Sequence, residues 1–231
     1  MKRLFTNASL LACLVLVSAC GNAGAPQQQQ NEQASADGLP APYATKSVNN
    51  NSRTIGWPED RTPVAPAGFK VTRFADSLDN PRWVYVGDNG DVFVAESATR
   101  KSKSGDRITL FRDSNKDGVF ESRHVFAEKL KQPLGMLILN NSFYIANTDG
   151  LYQFNYTPGM TRLEGEGKKI VELPAGGYNN HWTRNIITNK NKDKIYISVG
   201  SGSNVAEHGI EHETRRAAIL EVNTDGSGER I

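Results

Sequence analysis

Cysteine and long apolar runs are the scarcest features of this 231-residue sequence. The two cysteines are Cys13 and Cys20, and Cys13 lies inside an apolar stretch from Leu10 to Val17. That stretch is shorter than the ~18 to 20 residues that a membrane-spanning helix needs, so we expect no such helix. If the stretch is removed during export, Cys20 is left as a lone thiol and no disulfide is available.

Charge of one sign is lacking as well. The sequence has 27 Lys and Arg against 25 Asp and Glu, a formal net charge of +2, and the two signs are interspersed. A basic stripe is the sequence feature of proteins that bind nucleic acid. We therefore expect no nucleic-acid partner.

The N-terminal residues have the features of an export signal. Lys2 and Arg3 precede the apolar stretch, which ends in Val17-Ser18-Ala19-Cys20. This ending resembles a bacterial lipobox, in which the cysteine is acylated, so we predict a signal peptide at 1–19 and a lipid on Cys20. A signal peptidase site near Ala19 is the alternative. Gly21 in place of Asp favours the outer membrane, which predicts a periplasm-facing lipoprotein attached to the membrane only by its lipid.

Residues 20–66 are predicted to form a disordered tether. They are rich in Gln, Asn, Ala, Ser and Pro, with four consecutive glutamines at 27–30. Such a segment buries too little apolar surface to offset the entropy of ordering. One folded domain is then expected at 67–231.

This domain contains an internal repeat. Residues 74–81 align with 126–133, with Phe, Ala, Leu and Pro at matching positions. Apolar runs at 92–95, 143–146 and 195–198 lie about 51 residues apart. Each is preceded by a short apolar run and followed by others, at 83–86, 107–111, 123–126, 134–139, 151–154, 169–173, 185–187 and 217–222.

The repeat predicts an all-β chain built as a β-propeller. Four short antiparallel strands in about fifty residues make one propeller blade, and about three blades are present. A β-sandwich would explain the strands but not their regular recurrence. The segment 69–74 reads as an isolated fourth strand, and the third repeat stops at 229–231. We expect unfinished edges at both ends, from a truncated or split reading frame or, second, from assembly of two chains.

The repeat also predicts where a site would lie. In each blade, the segment before the first strand and the loop between the second and third strands emerge on one face. Asn80, Gln132 and His181 occupy the first kind of position, and the long 200–216 loop is of the second kind. His181 is the best single candidate for a general base because of its placement at this face, and a structural histidine is the alternative. The two amides either contact a ligand or cap backbone groups.

A second candidate site lies on the opposite face. Side chains with oxygen atoms occupy alternate positions at Asp113, Asn115 and Asp117, a glycine follows at 118, and Glu121 adds another carboxylate. This pattern suits a structural calcium ion or an ordinary turn. The spacing excludes an EF-hand. The pattern His208-Gly209-Ile210-Glu211-His212 matches a zinc-peptidase motif, but that chemistry needs a helix, and Gly209 and the blade loop argue against one.

Several separated segments resemble the PQQ-dependent sugar dehydrogenases of the sorbosone and soluble glucose dehydrogenase type. They include 81–83, 93–96 and 132–136, and within 181–222 the sequences His181-Trp182-Thr183-Arg184-Asn185 and Ser198-Val199-Gly200-Ser201. That family forms a six-bladed propeller with PQQ over the channel and calcium beneath it. The resemblance implies that His181 removes a sugar hydroxyl proton as hydride passes to the quinone. It also implies that Gln132 contacts substrate or cofactor, that Asn80 contacts substrate, and that Arg184 binds the anionic quinone.

The resemblance has gaps. Asn180 stands where the family has an acidic residue beside the histidine, and the family's other cofactor contacts lie in later blades. We expect the 231-residue chain alone to be inactive, and the enzyme to pass electrons to an acceptor of the respiratory chain. The alternative is a non-enzymatic propeller lipoprotein that binds a glycan or an envelope protein. A lactonase propeller would need carboxylates where Asn80, Gln132 and His181 stand.

Overall fold

A computed structural model describes residues 50, 52–53, 55–58, 61–99, 102 and 105–231. The predicted signal peptide, the lipid-bearing Cys20 and most of the predicted tether lie outside these residues. No helix in the described part of the chain is long and apolar enough to cross a membrane.

In the described residues, eleven strands form three antiparallel sheets, and within each sheet every strand pairs with the next one along the chain. The first sheet contains β1 (Pro81–Val86), β2 (Val92–Glu96), β3 (Arg107–Arg112) and β4 (Ser122–Ala127). The second contains β5 (Gly135–Leu139), β6 (Ser142–Asn147), β7 (Gly150–Asn155) and β8 (Lys168–Glu172). The third contains β9 (Arg184–Thr188), β10 (Lys194–Val199) and β11 (Ala218–Asn223). The predicted all-β fold of consecutive propeller blades is confirmed.

The described residues of the third sheet form three strands rather than four. Where a fourth would lie, Glu221 and Arg230 form an isolated bridge, with backbone hydrogen bonds of 2.8 and 3.0 Å in the two directions. The long loop between β10 and β11 contains a four-residue 3-10 helix, Ile210–Glu213.

Each interface between neighbouring sheets has its own apolar core. Phe93, Phe126 and Phe143 meet between the first and second sheets with ring centroids 4.8 to 5.0 Å apart. The core between the second and third sheets is mostly aliphatic and includes Leu137, Leu151, Ile195, Ile197, Leu220 and Val222. Because β2 and β6 are covered on both faces, all their residues are buried, which explains why these two strands read as continuous apolar runs.

The segment 69–74 does not form the predicted strand. Its last residue, Phe74, packs edge-to-face against Phe111 at 5.2 Å and Phe120 at 4.7 Å. Ala75 and Leu78 pack on the same cluster, over Val92 and Val94. The segment therefore covers part of the outer face of the first sheet through its side chains, without strand pairing.

Apolar side chains remain exposed on the outer faces of both terminal sheets. Ile187 and Ile219 on the third sheet are 65% and 63% exposed, and Val84 and Val86 on the first are 57% and 60% exposed. Soluble proteins rarely leave adjacent branched apolar residues on a flat sheet face in contact with water. The described residues thus leave the outer face of the third sheet, and part of that of the first, without a covering layer.

The first strands of the second and third sheets approach each other unusually closely at Gly135. A Cβ atom at this position would lie 2.7 Å from the backbone nitrogen of Ile186, 2.9 Å from Cα of Asn185 and 3.0 Å from the carbonyl oxygen of Arg184. These neighbours are backbone atoms of β9, so a side chain at 135 could be accommodated only by moving the sheets apart.

We therefore expect Gly135→Ala to lower the free energy of unfolding by about 1–3 kcal/mol, the usual cost of overpacking. Gly56→Ala is the matched control, because no atom lies within 4 Å of its Cβ position and its φ is not positive. Denaturant unfolding of the two variants and the parent measures the effect. Equal stabilities of the two variants would contradict the close approach.

Candidate functional site

The segments that lead into the first strands rest on loops of the preceding sheet. Gln132 donates its backbone N–H to Asp106 Oδ1 at 3.0 Å and its side-chain Nε2 to the Ala98 carbonyl at 3.1 Å. One sheet further on, Asn179 donates Nδ2 to Thr148 Oγ1 at 3.0 Å. Asp106, Ala98 and Thr148 all belong to loops between second and third strands, so the expected shared face is present.

Asn80 and Gln132 occupy equivalent positions in conformation as well as in sequence. Both have left-handed backbones, with φ of 50° and 47°, and so do Ser77 and Lys129 three residues earlier, at 54° and 58°. Such conformations are uncommon outside glycine. Their recurrence at aligned positions supports the repeat and puts the two amides at matching places on the face.

The start of the first strand in the first sheet also reaches the segment that leads into the third sheet. The guanidinium of Arg82, two residues after Asn80, lies 5.3 Å from the ring centroid of Trp182, the residue after His181, in a cation–π contact. The segments of all three sheets are thus linked on one face. The site roles predicted for Asn80, Gln132 and His181 stay predictions.

The segment before Asn80 is held by a buried carboxylate, that of Glu96. Glu96 is fully buried and accepts from Arg107 at 2.9 and 2.8 Å, from Thr109 Oγ1 and from the backbone N–H of Asp79. Burial acts to raise the pKa of Glu96, but the hydrogen bonds from Arg107, Thr109 and Asp79 outweigh it and hold the pKa below its ordinary value. The charged carboxylate therefore ties the segment before Asn80 to the sheet.

His181 is exposed, and its loop is paired with the loop after β10. The backbone N–H groups of Asn180 and His181 donate to the carbonyls of Gly202 and Ser201 at 2.8 and 3.3 Å. The imidazole Nδ1 lies 2.7 Å from Ser201 Oγ. Nε2 has no hydrogen-bond partner among the residues that the structure describes. A glycine is needed at 200, because a Cβ there would lie 2.2 Å from the His181 carbonyl oxygen.

Two buried arginines lie beneath this loop. Arg184, fully buried, donates to the carbonyls of His181, Thr183 and Pro174 at 3.0, 3.0 and 2.7 Å. Asn179 Oδ1 accepts from Arg184 at 3.3 Å and from Arg216 at 2.6 Å. Burial, followed by repulsion from Arg216, lowers the pKa of Arg184 to about 10, so Arg184 stays charged at neutral pH. Neither arginine forms an ion pair with a carboxylate in the described part of the chain.

Arg184 therefore supports the His181 loop through backbone carbonyls and presents no exposed donor. Its Nε is buried without a hydrogen-bond partner in the described structure. The cofactor contact predicted for Arg184 stays a prediction, and as placed its charge, rather than a direct hydrogen bond, would act on a ligand.

The long loop after β10 borders a small cavity. The cavity has a volume of about 250 Å³, and its lining includes Tyr178, Ser203, His208 and Glu213. The rings of Tyr178 and His208 are in contact, with centroids 4.4 Å apart and planes tilted by 57°. His208 and His212 do not share a helix, because the 3-10 helix begins after Gly209 and contains only four residues.

Glu213 holds the turn next to His181. Its carboxylate accepts from the N–H groups of Gly202 and Ser203 at 2.7 and 2.9 Å and from Ser203 Oγ at 2.5 Å. Desolvation acts to raise the pKa of Glu213, but these hydrogen bonds and the charge of Arg216 keep it below its ordinary value. Sequence reasoning did not single out Asn179, Ser201 or Glu213 as site residues, because their contacts join loops whose spacing is not periodic.

The candidate calcium ligands lie on the opposite face, in the loop between β3 and β4. Carboxylate oxygens of Asp113, Asp117 and Glu121 lie within 4.8 Å of one another. The turn is also closed by its own hydrogen bonds, since Asp113 accepts from the N–H groups of Lys116 and Gly118 at 2.6 and 2.8 Å. Asn115 Oδ1 accepts from the N–H of Asp117 at 3.0 Å. Calcium binding here stays a prediction.

Known proteins provide an independent comparison. A protein-family model described as TrAA12-like matches residues 63–228. Among solved structures, the holo PQQ domain of a pyranose dehydrogenase from Coprinopsis cinerea superposes with a TM-score of 0.53 at 18% identity, covering 66% of this chain and 35% of that one. A calcium structure of a Trichoderma reesei protein of carbohydrate-active enzyme family AA12 gives 0.55 at 14% identity, covering 72% and 40%. The predicted resemblance to the PQQ-dependent sugar dehydrogenases is confirmed at the level of family and fold.

These relatives are longer than the chain. An uncharacterized protein of Borreliella burgdorferi is 22% identical over 180 residues, which cover 74% of this chain and 43% of that protein. The chain thus spans less than half the length of each of these relatives.

The shared acceptor of the two buried arginines can be tested. We expect Asn179→Ala to lower the free energy of unfolding by about 1–3 kcal/mol, because two charged buried donors lose one partner. Thermal and denaturant unfolding measure the loss. Asn180→Ala is the control, since its side chain makes one 3.3 Å contact with Asn204 and should change stability by less than about 0.5 kcal/mol. A neutral Asn179→Ala would show that the arginines do not depend on this amide.

Proposed function

The chain belongs to the TrAA12-like family, and from that premise we propose that it forms part of a PQQ-dependent oxidoreductase that oxidises a sugar. The observation that carries the proposal is an exposed histidine, His181, whose Nε2 is open on the face where the leading segments of three sheets meet. The carboxylates that a hydrolytic lactonase would need are not found at Asn80, Gln132 and His181.

In the proposed reaction, the protein accepts a proton from the sugar. When bound, PQQ supplies the acceptor for the hydride that leaves the sugar carbon. Nε2 of His181 accepts the hydroxyl proton of the same carbon, so that the C–O single bond becomes a carbonyl. Gln132 Oε1 and the Asn80 amide orient the other hydroxyl groups, since Gln132 Nε2 is already engaged by Ala98.

The residues present suit an anionic cofactor. Arg184 and Arg216 place two buried positive charges beside the His181 loop; Arg216 lies near enough to the Glu213 carboxylate to lower its pKa, whereas Arg184 forms no ion pair in the described residues and its Nε is left without a partner. Buried charge of this kind is stabilised by an anionic ligand nearby. We assign the two arginines an electrostatic role toward the quinone and not a direct contact.

Activity is proposed for a larger propeller than the three described sheets. The exposed Ile187 and Ile219 on one terminal sheet, and Val84 and Val86 on the other, would be covered by further blades. The greater length of the relatives supports this. Such blades would supply the remaining cofactor contacts and the calcium beneath the cofactor.

We further propose a place in the cell envelope. A lipid on Cys20 and the 20–66 tether would hold the propeller at the periplasmic side of the outer membrane. An electron acceptor of the respiratory chain would then regenerate the quinone. These proposals rest on the sequence alone.

The decisive experiment uses the native gene product, isolated from its host and measured for mass, and loaded with PQQ and calcium. Oxidation of aldoses and of sorbosone is followed with an artificial electron acceptor. We expect His181→Ala to lower kcat by about 10²- to 10⁴-fold, the usual contribution of a general base. His208→Ala is the control, because His208 belongs to the same long loop after β10 but its ring packs against Tyr178.

Unchanged oxidation in His181→Ala would remove the base assignment. Absence of any PQQ-dependent oxidation in the loaded native protein would instead favour the non-enzymatic propeller that binds a glycan or an envelope protein.

We also propose that the Asp113–Glu121 turn binds calcium. Asp117→Asn keeps the acceptor for the N–H of Val119 while removing one negative charge from the ligand set. We expect calorimetric titration to show at least a tenfold weaker calcium affinity in this variant, since affinity follows ligand charge. Asp193→Asn, in an exposed turn between β9 and β10, is the control. Equal calcium affinity in Asp117→Asn and the parent would mean that the turn is held only by its own hydrogen bonds.

A further inference from the structure

Ser201 makes two short contacts that together determine which ring nitrogen of His181 carries the proton. Its Oγ lies 2.7 Å from the carbonyl oxygen of Ser203 and 2.7 Å from His181 Nδ1. A carbonyl oxygen can only accept, so the single hydroxyl proton of Ser201 points at Ser203. Toward His181, Ser201 Oγ is therefore the acceptor, and Nδ1 must carry the proton.

A second contact agrees with this assignment. The carbonyl oxygen of Ser201 lies 3.3 Å from Nδ1, and it too can only accept. We infer that Ser201 is a positioning residue that holds His181 in the Nδ1–H form and leaves the Nε2 lone pair free on the open face. The inference deepens the proposed function and rests on it for its catalytic meaning, whereas the tautomer itself is a property of this chain.

The turn that carries Ser201 is itself held in place. Glu213 accepts from the N–H groups of Gly202 and Ser203, which fixes the peptide next to the Ser203 carbonyl. Gly200 permits backbone contact between this turn and the His181 loop, at a distance that any side chain would prevent. Glu213, through the turn, thus determines where the Ser201 hydroxyl can point.

The hydrogen bond between His181 and Ser201 compensates for a difference between this sequence and the family that it resembles. Asn180 stands beside His181 where the resembling family has an acidic residue, and its Nδ2 contacts Asn204 at 3.3 Å rather than the imidazole. A neutral hydroxyl that is itself oriented by a carbonyl can fix a tautomer as a carboxylate does, because the tautomer depends on which group accepts from Nδ1. The wrong tautomer disables a histidine base even when its position is unchanged.

Nuclear magnetic resonance tests the tautomer without substrate or cofactor. In ¹⁵N-labelled protein at a pH where His181 is neutral, two-bond ¹H–¹⁵N correlations distinguish protonated from unprotonated ring nitrogens, and the His181→Ala spectrum identifies the signal. We expect Nδ1 to be protonated in the parent. In Ser201→Ala the tautomer ratio should shift toward Nε2–H by about two- to tenfold, the effect of losing one hydrogen bond.

Two further variants separate the hydroxyl from the fold. Ser201→Thr keeps the hydroxyl and should retain the Nδ1–H form. Ser198→Ala removes a nearby exposed hydroxyl that contacts Asn185 and should leave the His181 signal unchanged. A parent dominated by Nε2–H, or an unchanged ratio in Ser201→Ala, would overturn the inference.

Kinetics of the PQQ-loaded native protein complete the test. Ser201→Ala should lower kcat in proportion to the measured fall in the Nδ1–H fraction, and by no more than the two- to tenfold shift in the tautomer ratio, with little change in KM, because it removes base alignment and not substrate binding. If Ser201→Ala shifts the tautomer but His181→Ala leaves oxidation intact, the proposed function fails while the tautomer assignment stands. If the tautomer does not shift but His181→Ala abolishes oxidation, the positioning role fails alone.

Discussion

The contact between the first strands of neighbouring sheets sets the geometry on which the rest of the molecule depends. At Gly135 the backbones of β5 and β9 approach too closely to admit even a methyl group. Facing sheets ordinarily pack about 10 Å apart, a spacing set by the side chains between them. Further from this contact, the first and second sheets are separated by the rings of Phe93, Phe126 and Phe143. Gly135 thus permits one close contact between first strands, whereas large side chains separate the sheets in the core between the first and second sheets.

The same geometry brings the site loops together. Because the inner strands are close, the segments that lead into them converge, and Arg82 of the first sheet reaches Trp182 of the third. A flat stack of sheets would keep those two residues apart. The site face is therefore a consequence of how the sheets pack, and the loops add to it the details that determine chemistry.

Most of the strand layout could be predicted from the sequence, because a repeat reports the same structure three times. The predicted β3 run 107–111 is observed as Arg107–Arg112, and the β10 run 195–198 as Lys194–Val199. The repeat even extends to an irregularity of pairing at Ile108/Thr109 and again at Leu151/Tyr152. The segment 69–74 was wrongly predicted as a strand because its aromatic and β-branched residues indicate a preference, whereas a strand also requires a partner edge.

The site could be predicted only as far as the repeat reaches. Asn80 and Gln132 were found because they align, and the structure gives them the same left-handed backbone. The contact of Ser201 with His181 has no counterpart in the other repeats, so periodicity could not reveal it. Arg184 was predicted to contact an anion, and the structure buries it against carbonyls. Sequence identifies a charge but not which groups enclose it.

Charge balance gives these separate observations one interpretation. Arg184 and Arg216 already place two buried cations beside the His181 loop, and the proposed proton transfer to Nε2 would add a third positive charge. Such an accumulation in a partly desolvated site is costly unless negative charge develops nearby at the same time. The Glu213 carboxylate, whose pKa is lowered by the charge of Arg216, offsets part of this positive charge. When bound, an anionic quinone that accepts the hydride would offset more, so the proposed function would account for two buried arginines beside the His181 loop.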